Sequence, residues 1–372
     1  MKQTSKIFTL ILVFLLGIFL LFMGCTRQST SQDTLVIGSI LPLTGPASFA
    51  GGEMMNGMLL AVEELNAQGG IAGKQIQLFL EDSETKATSG VSAFHKMETS
   101  KEQPLLYISA LSSVSMALAP LAEETRVSLM GLAVTAPDFV KNKIWSFRYY
   151  ATAKDEIPPI ISMLDGLDAS TLGILYINDD YGLSVSTLLK TEFEKLSGLT
   201  KTETFQVSDS DFKTQILKLQ NMDALYIVGF DSHLKIIIQQ LRTLGYKGYI
   251  LAPSTASLPT VRTTAGANKI YVAAPTIYQN GDVLSTRFKI AYQEKYKLQP
   301  THYAANGYDL ILFLEYSLRN QESLTRASLQ KIIESDISYV GVFGKISSTQ
   351  EGHERSFSLS PAQIIDGNLV YL

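Results

Sequence analysis

Four histidines, one cysteine and scattered carboxylates are the residues best able to do chemistry in this 372-residue chain. The histidines are His95, His233, His302 and His353, and no two stand four apart as a helical zinc pair requires. The single cysteine, Cys25, cannot make an internal disulfide or a cysteine-rich zinc site. Gly69-Gly70-Ile71-Ala72-Gly73-Lys74 lacks the spacing of a phosphate loop, with Gln68 at the first glycine position and Gln75 after the lysine. That run follows a helix rather than a strand, so it reads as a turn. Asp179-Asp180 has the carboxylates for acid–base chemistry, but a loop pair there more simply caps the next helix. No GxSxG elbow and no GxGxxG after a strand is present. Neither a catalytic centre, a metal site nor a cofactor is expected. Ser112-Ser113 is different: a strand meets a helix there, so backbone N–H groups and a hydroxyl would face an anion. Ligands bind α/β sheets at such places, beyond the carboxyl ends of strands. The simpler alternative is that Ser112 only caps its helix.

These residues need elements to hold them, and the chain supplies an alternation. TLVIGSIL (34–41) is β-branched and ends at a proline, as a strand does. Helical spacing follows over 53–68, a strand at 74–82, a helix at 86–101, a strand at 104–110 and a helix at 113–125. The same grammar resumes with strands at 171–178, 202–207, 223–230 and 248–253, separated by helices at 181–196, 212–220 and 234–244. Strands apolar on both faces and separated by helices indicate parallel sheets covered on both sides. Two α/β runs, about 34–150 and 155–275, are expected. Helices near 284–296, 303–318 and 324–334 follow, and this section must pack back on the earlier lobes.

The composition suits such a fold. Hydrophobic residues make up 46% and charged residues 18%, enough for a buried core and too apolar for disorder. The net charge is −4 with no basic run, which argues against a nucleic-acid binder. Lys2 and Lys6 precede an uncharged apolar run, 7–23, and then Gly24-Cys25 and a polar stretch. Positive start, apolar run and small residue make a secretory signal over 1–24. Phe22-Met23-Gly24-Cys25 resembles the lipobox of bacterial lipoproteins, with Phe22 where leucine is preferred; the resemblance implies lipidation at Cys25. The alternative is an uncleaved membrane helix. Both place the rest outside the cytoplasmic membrane, and 25–33 reads as a flexible tether.

The stretch from Ser39 to Ala87 carries an ordered set of features: a strand ending in Thr44-Gly45-Pro46, a helix ending in NAQGGIAGK, and a strand ending in Glu81-Asp82. With LSSVS (111–115), AVTAP (133–137), INDDYG (177–182), SDF (210–212) and LGYKG (244–248), the chain resembles type 1 periplasmic binding proteins of the leucine/isoleucine/valine-binding family. The likeness spans essentially 34–372. It implies an α/β fold of two Rossmann-like lobes with parallel sheets, joined by a three-crossing hinge. Lobe 1 would be 34–152 plus 278–345 and lobe 2 would be 153–277 plus 346–372.

By the same resemblance, Ser112, Ala133 and Thr135 hold a ligand's carboxylate and ammonium, while Tyr181, Phe230, Tyr303 and Phe49 line the cleft. Phe230 stands where the family has tyrosine. For each aromatic, core packing is the alternative. Ser254 stands where the family's amino-acid binders have an acidic residue against the ligand ammonium. A buried ammonium without a counter-charge is strongly disfavoured. Either Asp231 or Asp180 substitutes, or the ligand is a carboxylate or amide without an amine.

Two functions follow from the resemblance. The leading one is a non-enzymatic, lipid-anchored, monomeric receptor that presents a small ligand to an ABC permease of the branched-chain amino-acid type. The alternative is a sensory or regulatory lipoprotein that docks on an envelope protein.

Overall fold

The alternation of strands and helices resolves into two sheets with helices on both faces. A computed structural model describes residues 34–277, 283–349 and 352–372. The expected leader (1–24), Cys25 and the tether (25–33) lie outside the described residues. The chain begins with Thr34–Leu41 (β1), Ser48–Ala67 (α1), Gln75–Asp82 (β2), Ala87–Glu98 (α2), Leu106–Ala110 (β3), Ser112–Thr125 (α3), Ser128–Leu132 (β4) and Ser146–Tyr149 (β5). It continues with Ala153–Gly166 (α4), Thr171–Ile177 (β6), Asp180–Lys195 (α5), Leu199–Phe205 (β7), Lys213–Lys218 (α6), Ala224–Val228 (β8), Asp231–Thr243 (α7), Tyr249–Ala252 (β9) and Tyr271–Pro275 (β10). The final section holds Val283–Tyr296 (α8), His302–Leu318 (α9), Arg326–Glu334 (α10), and Tyr339–Gly341, Gly344–Thr349, Glu354–Ser356, Leu359–Ile365 and Asn368–Tyr371 (β11 to β15).

The first sheet has the order β11-β12-β13-β5-β4-β3-β1-β2 and the second β15-β14-β10-β9-β8-β6-β7. Strands β1, β3, β4 and β5 pair in parallel, as do β7, β6, β8, β9 and β10. The two sheets repeat one strand order, 2-1-3-4-5 and 7-6-8-9-10. In such a sheet the crevice opens where strand order reverses, beside β1 and β3 and beside β6 and β8. Every residue of β3, β4, β5 and β8 is buried, which explains why these strands read as unbroken apolar runs.

Most expected elements appear within a few residues. Helix α1 starts five residues before the expected 53, because Gly51-Gly52 hides its first turn; Gly51 is buried against the Pro42 carbonyl. Strand β5 and helix α4 were not anticipated at all. Pro158 and Pro159 lie inside α4 and remove two interior N–H donors, so the segment does not look helical. A capping box offsets this: Thr152 Oγ1 accepts from the Lys154 N–H at 3.2 Å, and the Thr152 N–H donates to Asp155 Oδ2 at 2.7 Å.

The C-terminal section closes both sheets. Helix α9 lies against α1, and two glycines set the approach: a Cβ at Gly57 would overlap the Ala304 carbonyl oxygen, and one at Gly307 the Met54 carbonyl oxygen. Strand pairing differs from the expected tail boundary at 345/346. Strand β12 pairs with β13, and β13 runs parallel to β5, so both belong to the first sheet; β14 is the first tail strand to pair in the second, against β10. The buried Arg148–Glu354 ion pair at 2.8 Å fixes β13 to β5. Burial lowers the Arg148 pKa, which its carboxylate partner opposes. Chain connections between the sheets follow Tyr149, Pro275 and Ser356, and Ser356 Oγ donates to Asp155 Oδ2 at 2.8 Å, tying the third connection to the first.

Candidate functional site

A cavity lies where the carboxyl ends of both parallel cores face each other. It holds about 360 Å³ of space between atoms, part of it open to solvent and nearly all of it too narrow for a water molecule. Seven of the expected residues line it: Ser112, Ala133, Thr135, Tyr181, Phe230, Ser254 and Tyr303. They converge because each follows a strand or opens a helix. Ser112 follows β3, Ala133 and Thr135 follow β4, Tyr181 follows β6, Phe230 follows β8, and Ser254 follows β9. Tyr303 comes from the first turn of α9.

The first-sheet wall is a set of donors. Ser112 is not a helix cap: the cap position is Leu111, and no side chain caps α3. Ser112 Oγ instead accepts from the Thr135 and Ala136 N–H groups at 3.2 and 3.3 Å, which leaves its own proton for a third partner. Thr135 Oγ1 is buried without a hydrogen-bond partner. The uncapped first turn of α3 adds the positive end of its helix dipole. Two non-glycine residues on this wall have positive φ, Leu111 at 73° and Ala133 at 50°. Arg148 helps hold the turn after β4, because its Nη2 donates to the Ala136 carbonyl. Such backbone strain persists where surrounding structure over-determines it.

The second-sheet wall is aromatic and acidic. Tyr181 and Phe230 stack with centroids 6.2 Å apart. Phe230 keeps its aromatic face there without a hydroxyl. The carboxyl on this wall is Glu156, in the first turn of α4, which is 2% exposed. The Tyr226 hydroxyl donates to its Oε1 at 2.5 Å. Burial pushes Glu156 up to about 7, and the Tyr226 hydrogen bond opposes that rise. Tyr150, from the connection after β5, and Thr255 complete the lining with Leu111.

Two expected residues are not among those lining the cavity. Phe49 packs half-buried on the core near the start of α1. Asp231 opens α7 and is mostly buried; burial raises it to about 6, with Lys235 opposing. Asp180 is exposed, whereas Asp179 caps α5 by accepting from the Gly182 N–H at 2.9 Å. Leu111, Tyr150, Glu156 and Thr255 were missed. The signal for Glu156 was the Thr152-x-x-Asp155 capping pair, masked by the two prolines.

Hydrogen bonds cross between the lobes around the cavity. Ser232 Oγ donates to the Pro46 carbonyl at 3.0 Å, Thr255 Oγ1 and the Tyr303 hydroxyl are 3.2 Å apart, and Ser257 Oγ and His302 Nδ1 are 3.3 Å apart. The remaining histidines have structural contacts too. The Phe230 N–H donates to His233 Nδ1, leaving His233 Nε2 to donate to the Val207 carbonyl at 2.9 Å. Among the described residues, no cluster of His, Cys, Asp and Glu could hold a metal ion, and no helix is long and apolar enough to cross a membrane.

A wider groove lies between α4 and α5, lined by Ile157, Pro158, Ile161, Leu188 and Leu196 with exposed Lys154, Asp165 and Lys195. It lacks the convergent donors of the smaller cavity, which is the better candidate on chemistry.

Comparison with known proteins agrees with this architecture. A family model described as periplasmic binding protein matches residues 34–368. The Leu/Ile/Val-binding protein BraC3 of Rhizobium johnstonii is 25% identical over 223 residues, 58% of this chain and 60% of that protein. The matched part thus spans about three-fifths of that relative's length. The leucine-binding protein LivK of Thermotoga maritima superposes with a TM-score of 0.84 at 25% identity, over 91% of this chain and 98% of that one. The branched-chain amino acid transporter substrate-binding protein LivJ of Streptococcus pneumoniae, solved with isoleucine, gives 0.79 at 20% identity over 91% and 100% of the two chains, a likeness of fold. This chain belongs to the type 1 periplasmic binding proteins of the leucine/isoleucine/valine-binding family, which are extracytoplasmic solute-binding proteins rather than enzymes.

Proposed function

We propose that the protein is the solute-binding component of an ABC importer and takes a small polar ligand into the cavity between its lobes. The ligand class is a branched-chain amino acid or a related carboxylate or amide. One observation carries this reading: a single cavity collects strand-end residues from both sheets, with inter-lobe hydrogen bonds around it. A ligand touching both walls binds a closed arrangement better than an open one, and shifts the population by that difference. The names of the Rhizobium and Thermotoga relatives make leucine, isoleucine and valine the first ligands to try.

In this reading Ser112, Ala133 and Thr135 meet the anionic end of the ligand, and Tyr181, Phe230, Ser254 and Tyr303 surround the remainder. Lipidation at Cys25 anchors the receptor to the cell envelope, and a permease of the branched-chain amino-acid type takes the ligand from a monomeric receptor. The three connections between lobes act as the hinge.

A thermal-shift panel tests this, pairing each amino acid with its deaminated acid and its amide. A specific ligand at 100 times its Kd adds about 2.7 kcal/mol of stability. The same ligand is expected to reduce the radius of gyration in solution scattering. A folded protein that neither gains stability nor contracts with any member of the panel contradicts the proposal and favours a docking role.

A further inference from the structure

We infer that Glu156 is the cation-recognising group of the cavity, so that the ligand is a zwitterion held with its ammonium against α4 and its carboxylate against the first-sheet wall. The inference rests on the solute-binding reading and adds the polarity of the ligand to it.

The two walls of the cavity carry opposite chemistry. The first-sheet wall offers the Ser112 hydroxyl proton, the unpartnered Thr135 hydroxyl and the uncapped start of α3, all suited to an anion. The facing wall offers a carboxyl, and a carboxylate only accepts hydrogen bonds. Glu156 is 2% exposed, lines the cavity and has no basic side chain beside it among the lining residues. The Tyr226 hydroxyl donates to its Oε1, which leaves acceptor capacity on the carboxylate. The groups that face it electrostatically are the hydroxyls of Tyr226 on β8, Tyr181 on α5, Tyr150 after β5 and Tyr303 on α9. None is a cation. A buried carboxylate without a counter-charge is unfavourable, so it either holds its proton or waits for a cation.

Position supports the same assignment. The Ala153 N–H donates to the Thr135 carbonyl at 3.4 Å, which ties the first turn of α4 to the donor wall. Glu156 follows three residues later, in the same turn, and lines the cavity. Asp231 is not among the lining residues and Asp180 is exposed, so Glu156 is the carboxyl placed to meet a ligand.

Protonation gives the inference a distinctive readout. An ammonium entering beside Glu156 favours its ionised form, so binding near pH 6.5 releases a proton, and affinity falls as the pH is lowered. Calorimetry in two buffers of different ionisation enthalpy measures that release, using the full chain, its Glu156→Gln variant and the panel of amino acids with their deaminated acids. The expected result is binding of an amino acid with proton release by the unmodified protein. Glu156→Gln should remain folded, lose about 100-fold in affinity for that amino acid and show no proton release, consistent with loss of a buried charge-assisted pair. Retained affinity for the amino acid in Glu156→Gln overturns the inference. So does tighter binding of the deaminated acid, or loss of proton release in Asp231→Asn instead. In those cases a ligand still binds and the solute-binding reading survives. Absence of binding across the panel, without lobe closure, sinks both.

Discussion

The two sheets carry their strands in the same order and present different chemistry at the same ends. Beyond β3 and β4 the first sheet places hydroxyls, backbone N–H groups and an uncapped helix start. Beyond β6, β8 and β9 the second places stacked aromatics, and α4 adds one buried carboxyl. A repeated topology thus fixes where a ligand can sit, while the residues at the strand ends decide which way round it lies. The two also differ in how they are completed. The first takes α9 and three strands from the C-terminal section, and the second takes two strands.

That borrowing gives the largest expected effect. Gly57→Ala puts a methyl onto the Ala304 carbonyl oxygen and forces α1 from α9. A loss of about 3 kcal/mol or more is expected from overpacking of this kind, measured by chemical denaturation. If the two lobes unfold separately, the first transition alone should move. An unchanged midpoint would contradict the close packing of α1 on α9.

The acid on the second wall gives an effect of similar size with a definite sign. Glu156 has a folded pKa of about 7 against an ordinary 4.5, so the folded state binds its proton more tightly than the unfolded chain. Its contribution to stability is complete below about 4.5 and is lost as pH rises through 7. The loss is on the order of 3 kcal/mol without ligand. The stability difference between the unmodified protein and Glu156→Gln should therefore grow across that window in favour of the variant. A difference independent of pH would place the carboxyl in water.

The smallest effect concerns the contact between lobes. Ser232→Ala removes the donor to the Pro46 carbonyl and should cost about 0.5–1.5 kcal/mol of closure. The expected result is a weaker ligand affinity, by about threefold to tenfold, with little change in the global unfolding midpoint.

The donor wall was legible in the sequence because its residues lie at obvious junctions. Ser112 follows an apolar strand, and Thr135 follows another. The facing carboxyl was not legible. Glu156 sits in a helix that contains Pro158-Pro159, and its direction depends on β8, which brings Tyr226 to it from 70 residues away. Phe49 and Asp231 show the reverse. Both neighbour the right turns in sequence, and helix geometry places neither among the cavity-lining residues. The tail boundary was misjudged because three-residue β13 carries little periodicity, and its place in the first sheet depends on pairing with β5 and on the Arg148–Glu354 contact.

A crystal structure with the tightest ligand of the panel tests the opposed-wall account most directly. The account predicts a zwitterion between the two sheets, its carboxylate within hydrogen-bond distance of Ser112 Oγ and Thr135 Oγ1, and its ammonium on Glu156. A ligand bound in the reverse orientation, without an ammonium, or in the groove between α4 and α5 would contradict it.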